Sequence, residues 1–392
     1  MNDTVTGVCQ MKKNRCFGAL YKFELLKILK NKVAVIAFLI FFIFGFVQGE
    51  FEVRGNIDPD TLKEHMTLDG RILDDQLLGE WVAVTDEYGE VTDEKNIAYE
   101  TLTEWIKDIA GYGVVLEDIN ESRLYEERLK IIDEAYADSY LDEGEIEYWK
   151  AQEETLEKPF VWKDSFISFG LQNGVSNTII IMMLVISVSL STSFSAETQR
   201  KTDPMIRASI NGGKETYFAK ILAGTTYSFV TVILYLGIFV GYVAIKWGLS
   251  GMDALEQVIY PCTQMKLTVG ETTFILILLT VLGSLLLSTA TMFVSCLLRN
   301  GMGTMGIIVG GYFGLFALGT SVPMHMKTLS KICCLLPPTQ ISPRLVYEFR
   351  LFKIAGHYFR SYQVSAVSYA AAAIILIIFG YILYKRYEIK SN

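Results

Sequence analysis

Six stretches of this chain contain no Asp, Glu, Lys, Arg or His: Val33–Gln48, Leu171–Phe194, Ile221–Ile245, Thr272–Leu298, Met302–Val322 and Val364–Tyr384. Crossing ~30 Å of hydrocarbon at ~1.5 Å per residue takes ~20 residues, and five of the stretches meet that length. The first is shorter, but Ile28, Leu29 and Phe51 extend it toward the interfaces, and no A-x-A-like site follows Phe46 to mark a cleaved leader. In hydrocarbon each backbone N–H and C=O must pair within its own segment, so such stretches are helices. The expected fold is an all-α polytopic membrane protein with six transmembrane helices and a large, mainly helical extracellular domain between the first and second. A composition 51% hydrophobic and 20% charged agrees.

Charge is segregated along the chain. Of 43 acidic residues 33 lie between Glu50 and Ser168, against 11 of the 35 basic ones. That segment is near −22 and the remainder near +14, as expected for one domain on one face of a bilayer and basic loops on the other. Lys12, Lys13, Arg15, Lys22, Lys27, Lys30 and Lys32 precede the first span, and Arg200, Lys201, Arg207, Lys214 and Lys220 follow the second. Both segments are expected in the cytoplasm. The division that follows is 1–32 cytoplasmic N-terminus, 33–48 first span, 49–170 extracellular acidic domain, 171–194 second span and 195–220 cytoplasmic loop. Then come 221–322 with the third to fifth spans, 323–363 as an outer re-entrant segment, and 364–392 with the sixth span and a cytoplasmic tail. Segment 323–363 departs from the charge rule, holding Lys327, Lys331, Arg344, Arg350, Lys353 and Arg360 against Glu348 alone. Either a re-entrant or interfacial structure whose charges reach headgroups accounts for it, or one of the two preceding stretches does not cross; the first is favoured.

The lack of ionisable residues in the six stretches disfavours an ion- or proton-coupled carrier. Ser284, Ser288, Thr291 and Ser295 recur at helical spacing in the fourth, and Asn173 and Asn177 share a face of the second. They are candidates for interhelical hydrogen bonds or for the lining of a translocation pathway. Gly306, Gly310 and Gly314 give overlapping GxxxG spacings in the fifth, a surface for close packing within the subunit or across a dimer.

In the acidic domain Asp58-Pro59 reads as a helix start before Leu62, Met66, Ile72 and Leu73. Apolar stripes follow at Ile97, Leu102, Trp105, Ile106 and Ile109, at Leu124, Leu129, Ile131 and Ile132, and at Ile146, Trp149 and Leu156. Gly111, Gly113 and Gly144 separate them. Val82–Val91, broken by Tyr88-Gly89, fits a small hairpin. The domain's charge would attract cationic peptides, although a solvated acidic surface around a helical core is the simpler account.

Residues 17–30 are amphipathic, with Phe17, Leu20, Tyr21, Leu25, Ile28 and Leu29 on one side and Lys22, Lys27 and Lys30 on the other. This suits a helix lying along the inner leaflet. Glu24 falls inside the apolar arc, where a carboxylate needs a cationic partner, so it is expected to contact another cytoplasmic element. Between the second and third spans, Asp203 as N-cap and Pro204 in the first turn open a short helix to Ile210, which Asn211-Gly212-Gly213 ends. Met205, Ile206 and Ile210 then read as a docking surface for a cytoplasmic partner, with Arg207 and Glu24 as charged contacts.

This order of elements resembles the membrane subunits of ABC-2-type ATP-binding-cassette exporters. The most specific local likeness is Glu197, Thr202-Asp203, Gly213-Lys214 and Ala219-Lys220 after the second span. Leu335-Leu336-Pro337-Pro338 with Ile341-Ser342-Pro343, before the last span, is similar to the family's re-entrant outer segment. The resemblance covers nearly the whole chain and is weakest in the acidic domain. It implies a permease subunit in the cell membrane with both termini inside, paired with a second, identical or different membrane subunit. It also implies separate ATPase subunits that carry ATP and Mg.

No catalytic, metal or cofactor site is expected on this chain, and no nucleic-acid partner. Gly212-Gly213-Lys214-Glu215 lacks a P-loop's first glycine, where Ala208 stands, and its Ser or Thr, where Glu215 stands. His65, His325 and His357 are scattered, and Cys9, Cys16, Cys262, Cys296, Cys333 and Cys334 show no CxxC spacing. The competing expectation is a membrane-anchored receptor whose outer domain binds a ligand without transport.

Overall fold

A computed structural model describes residues 17–54, 61–86, 88–111, 119–209 and 212–390. Helix α1 (17–29) leads into α2 (Lys32–Arg54). The acidic segment holds α3 (Leu62–His65), α4 (Asp75–Val84), α5 (Ala98–Ala110), α6 (Glu121–Asp138) and α7 (Glu143–Glu154). Next come α8 (Phe166–Leu190), α9 (Ser195–Gln199), α10 (Asp203–Ala208), α11 (Lys214–Lys246), α12 (Val269–Leu298) and α13 (Gly301–Ser321). Helices α14 (Lys327–Cys334) and α15 (Pro337–Gln340) precede a two-stranded antiparallel hairpin, β1 (Leu351–Ile354) and β2 (His357–Arg360). Helix α16 (Ser361–Lys390) follows.

Among the described residues six segments are long and apolar enough to cross a membrane: Lys32–Val53, Phe166–Gln199, Lys214–Lys246, Val269–Leu298, Gly301–Ser321 and Ser361–Arg386. The chain is a multi-pass α-helical protein by this measure. Most of these helices outrun the charge-free stretches and take in ionisable residues at their ends. Glu197 and Lys220 thereby fall within the helical spans, a correction to the reading that they hold no charge. Helix α12 is central, packing on α8, α16, α11 and α13. Helix α2 runs along α8 so closely that a Cβ at Gly170 would meet the Glu52 carbonyl oxygen at 2.4 Å, and α11 presses Phe239 on Gly49 and Gly174.

The acidic segment has two cores. Leu77, Leu78, Trp81, Leu102, Trp105, Ile106, Phe160 and Trp162 form a separate one, whereas Ile132, Tyr136 and Trp149 of α6 and α7 join the core of the bundle. Arg128, wholly buried, locks that junction: it donates to both Glu153 oxygens at 2.6 and 3.1 Å and to the carbonyls of Pro261 and Thr263. Two expectations need correction here. Val82–Val84 is the end of α4, since Asp74 caps that helix and Leu77 and Trp81 are buried on one face, so the expected hairpin narrows to a Thr85–Val91 bridge flanked by Thr92 N donating to the Val84 carbonyl and Asp86 N to that of Glu90. Gly144 lies inside α7, whose capping box is Asp142 and Glu145, and makes room for the Tyr358 hydroxyl. Asp58, Pro59 and Gly113 lie outside the described residues.

The basic segment 323–363 sits against α7. Lys331 donates to Glu145 at 2.5 Å, Arg350 pairs with Glu348, and Arg360 donates to the Tyr148 hydroxyl and to Gln152. Trp149 Nε1 donates to the Phe349 carbonyl at 2.7 Å. Lys331 thus answers a carboxylate of the acidic segment and Arg360 two neutral polar groups of α7, while Arg350 is paired within its own segment.

Candidate functional site

The opposite, basic end of the bundle gathers α1, α9, α10 and the start of α11. The buried face of α1 is centred on Glu24 and Ile28, with Tyr21 and Leu25 packed beside them, while Phe23, Leu26 and Leu29 are exposed. Glu24 is 7% exposed and meets Lys220 Nζ at 3.3 Å and Lys27 Nζ at 3.4 Å. Glu197 of α9 accepts from the same two ammonium groups, at 2.5 Å from Lys220 and 2.8 Å from Lys27. Lys220 Nζ also donates to the Ser193 carbonyl at 3.0 Å and lies 5.5 Å from the Phe194 ring centre. Two carboxylates and two ammoniums therefore form a neutral, alternating ring that joins three elements distant in sequence. Burial alone would lower Lys27, but Glu24 and Glu197 outweigh it and hold its ammonium above the usual lysine range. Such a cluster adds little net stability yet fixes one arrangement, because each charge is costly without its partner. The sequence offers Glu24 as a contact for an external partner; its carboxylate is instead engaged inside the chain, so it positions α1.

Beyond Glu197, Lys201 turns the chain with φ +58°, and α10 begins at Asp203, not Pro204. Thr202 occupies the N-cap without a side-chain cap bond, so the capping role expected of Asp203 is not realised. The Asp203 carboxylate faces Arg299 at 3.8 Å instead. Arg299 itself ends α12 in the left-handed region, φ +54°. Past α10 the Gly212 carbonyl accepts from the Tyr384 hydroxyl of α16 at 3.0 Å, and Phe194, Tyr217, Tyr381 and Tyr384 stack into one aromatic cluster. The segment that carries α10 is thus tied to α9 through Thr202, to the end of α12 through Asp203 and to α16 through Gly212. Its Met205 is 76% exposed and Ile206 half-buried; Ile210 and the Arg207 side chain lie outside the described residues. A cavity of about 840 Å³ opens beside the ion cluster, lined by Lys27, Lys30, Lys32, Arg200, Ser189 and Thr192 among others.

The other sequence candidates lie elsewhere. Ser284, Ser288, Thr291 and Ser295 are wholly buried; Thr291 donates to the Leu287 carbonyl and Ser295 to that of Ser191, both at 2.7 Å. Asn177 donates to Glu52 at 2.8 Å, and Asn173 is half-buried near it. A Cβ at Gly306, Gly310 or Gly314 would meet no atom within 4 Å, so this face of α13 is not packed within the chain. Glycines overlooked in the sequence do that work: Gly45 lies where Tyr235 leaves no room for a Cβ. The GxxxG spacing of Gly45 and Gly49 was the available signal. Comparison with protein-family models, with curated proteins and with solved structures finds no match.

Proposed function

We propose that this chain is the permease subunit of an ATP-driven exporter of the ABC-2 type, whose ATP and Mg are held by separate ATPase subunits. The observation that carries the reading is α10, a short helix set apart between two spans, in a segment whose Asp203 faces Arg299 of α12 and whose Gly212 is held by Tyr384 of α16. Nucleotide-driven closure of the ATPases would push on Met205 and Ile206. The contacts through Asp203–Arg299 and Gly212–Tyr384 would pass that push to α12, α13 and α16, besides the flanking α8 and α11. In this reading the basic end faces the cytoplasm, the acidic domain lies outside, and the open glycine face of α13, together with α2, meets a second membrane subunit. Asn173, Asn177 and the hydroxyls of α12 would line a path only after the bundle opens. The test is Ile206→Asp in the chain co-expressed with the ATPase of the neighbouring reading frame. A carboxylate buried there without a partner costs about 2–5 kcal/mol, so nucleotide hydrolysis should be uncoupled from transport while the chain still inserts. Wild-type transport by that variant, or absence of a Walker-motif ATPase from the purified complex, rejects the proposal.

A further inference from the structure

We infer that the acidic domain carries a site for a cationic amphipathic ligand, an ammonium or guanidinium on an apolar body, in the cleft where α5 meets the start of α8. The cleft has a volume of about 670 Å³, the size of a drug-like molecule or a short peptide segment. Glu100, Glu104 and Asp108 follow one another along α5 at four-residue spacing, exposed and facing this cleft. Like charges at that spacing work against a helix, and no ion pair among the described residues relieves these three. At the rim, by contrast, Glu90 has Lys107. Partial desolvation in the cleft and the neighbouring Glu104 raise Asp108 and so disfavour its charged form, a cost that a cation in the cleft would offset.

Across from α5 the lining is Phe166 and Phe169 at the start of α8, while Trp105, on α5 itself, forms part of the cleft floor. Trp105 is fixed by its Nε1 donating to the Gln257 carbonyl at 2.7 Å, and Phe169 is 43% exposed. Faces of this kind take both apolar groups and cations. His65 completes the lining: it is 2% exposed, and neither ring nitrogen has a hydrogen-bond partner. Burial lowers its pKa against the opposing pull of Glu100 and Glu64, so the ring is neutral at pH 7 and keeps one nitrogen as an acceptor. Buried acceptors are seldom left unpaired, and a ligand N–H would supply what this one lacks. No group of three ligating side chains gathers among the described residues, so the site fits an organic cation better than a metal ion. Phe166 also begins a candidate span, which places an amphipathic ligand at the level where the apolar bundle starts.

The site rests on the cleft's own chemistry and is tested without ATP, so its failure leaves the proposed export function untouched. The full chain in phosphatidylcholine nanodiscs is titrated with two probes, phenylbutylammonium and a short amidated peptide of alternating lysine and leucine, with phenylbutanol as the neutral control. At least one cationic probe should bind, more weakly as salt is raised, and phenylbutanol should not. The triple variant Glu100→Gln, Glu104→Gln, Asp108→Asn relieves repulsion and should fold, yet bind about tenfold or more weakly. His65→Leu removes unpaired buried nitrogens, so it should weaken binding without lowering the melting temperature. Binding of one probe alone identifies whether the ligand is a peptide or a small organic cation. Failure of both probes on the wild type, or equal affinity in the wild type and either variant, overturns the inference.

Discussion

Replacing Lys220 by Met tests whether the ion cluster at the basic end acts as one unit. The ammonium lies 3.3 Å from Glu24 and 2.5 Å from Glu197. At an effective dielectric of about 20 these attractions are worth about 5 and about 7 kcal/mol, set against a desolvation cost of several kcal/mol for each ion. The intact cluster therefore nets little. Removing Lys220 alone strands two buried carboxylates with Lys27 as their remaining cation, and such a break costs about 3–5 kcal/mol. In nanodiscs, helix content followed by circular dichroism should lose its cooperative melt about 5–10 °C earlier than in the wild type. Adding Glu197→Leu to Lys220→Met leaves Glu24 and Lys27 paired at 3.4 Å, so the double variant should recover most of the loss. A double variant as unstable as the sum of its parts would show four independent charges and remove the argument that Glu24 positions α1. The contribution of Lys27 should also be insensitive to pH across the neutral range. Lys27 is held above its usual value, so its contribution is full below about 10.4 and fades only as pH rises through the raised value.

Three further outcomes follow from the packing. Gly45→Ala should destabilise the chain by about 1–3 kcal/mol, because the Tyr235 ring must move, whereas Gly310→Leu should leave the melt unchanged and weaken only subunit crosslinking; a destabilised Gly310→Leu would mean its face is packed within the chain. Glu256 is wholly buried, and desolvation lifts its carboxyl from 4.5 to about 7. Its protonated form favours the fold, so relative to Glu256→Gln the wild type should gain roughly 3 kcal/mol as pH falls from about 7 to about 4.5, and an unchanged difference would refute the shift. For topology, buried Cys262, Cys333 and Cys334 are poor reporters, burial pushing Cys262 up to about 11 and Cys334 to about 12. His357→Cys and Ser209→Cys are exposed instead, and an impermeant maleimide on intact cells should label the first but not the second.

What the sequence made legible is what depends on neighbours along the chain. Charge-free length marks the spans, and the misplaced Glu24 announces a buried carboxylate, since one helix turn suffices to show a charge within an apolar arc. What escaped depends on contacts distant in sequence. Glu197 and Lys220 read as flanking charges because charge-free length cannot tell a solvated ion from one neutralised 23 or 196 residues away. The same blindness hid Glu256, which lies outside every apolar stretch and yet is buried at the head of α8. There Gln172 Nε2 donates to it at 3.0 Å while Gln172 Oε1 has no partner. The same Nε2 reaches the second Glu256 oxygen at 3.3 Å, and burial, working against that bond, raises the carboxyl. The basic loop 323–363 follows the same logic. Lys331 looks anomalous beside a membrane and ordinary beside α7, because it and Glu145 are partners 186 residues apart. Charge rules for orientation count residues near a span and presume lipid or water as their surroundings. Where a domain of opposite charge covers the same end of the bundle, the rule reads that domain's counter-charge, and a loop's side is better judged from what its cations touch.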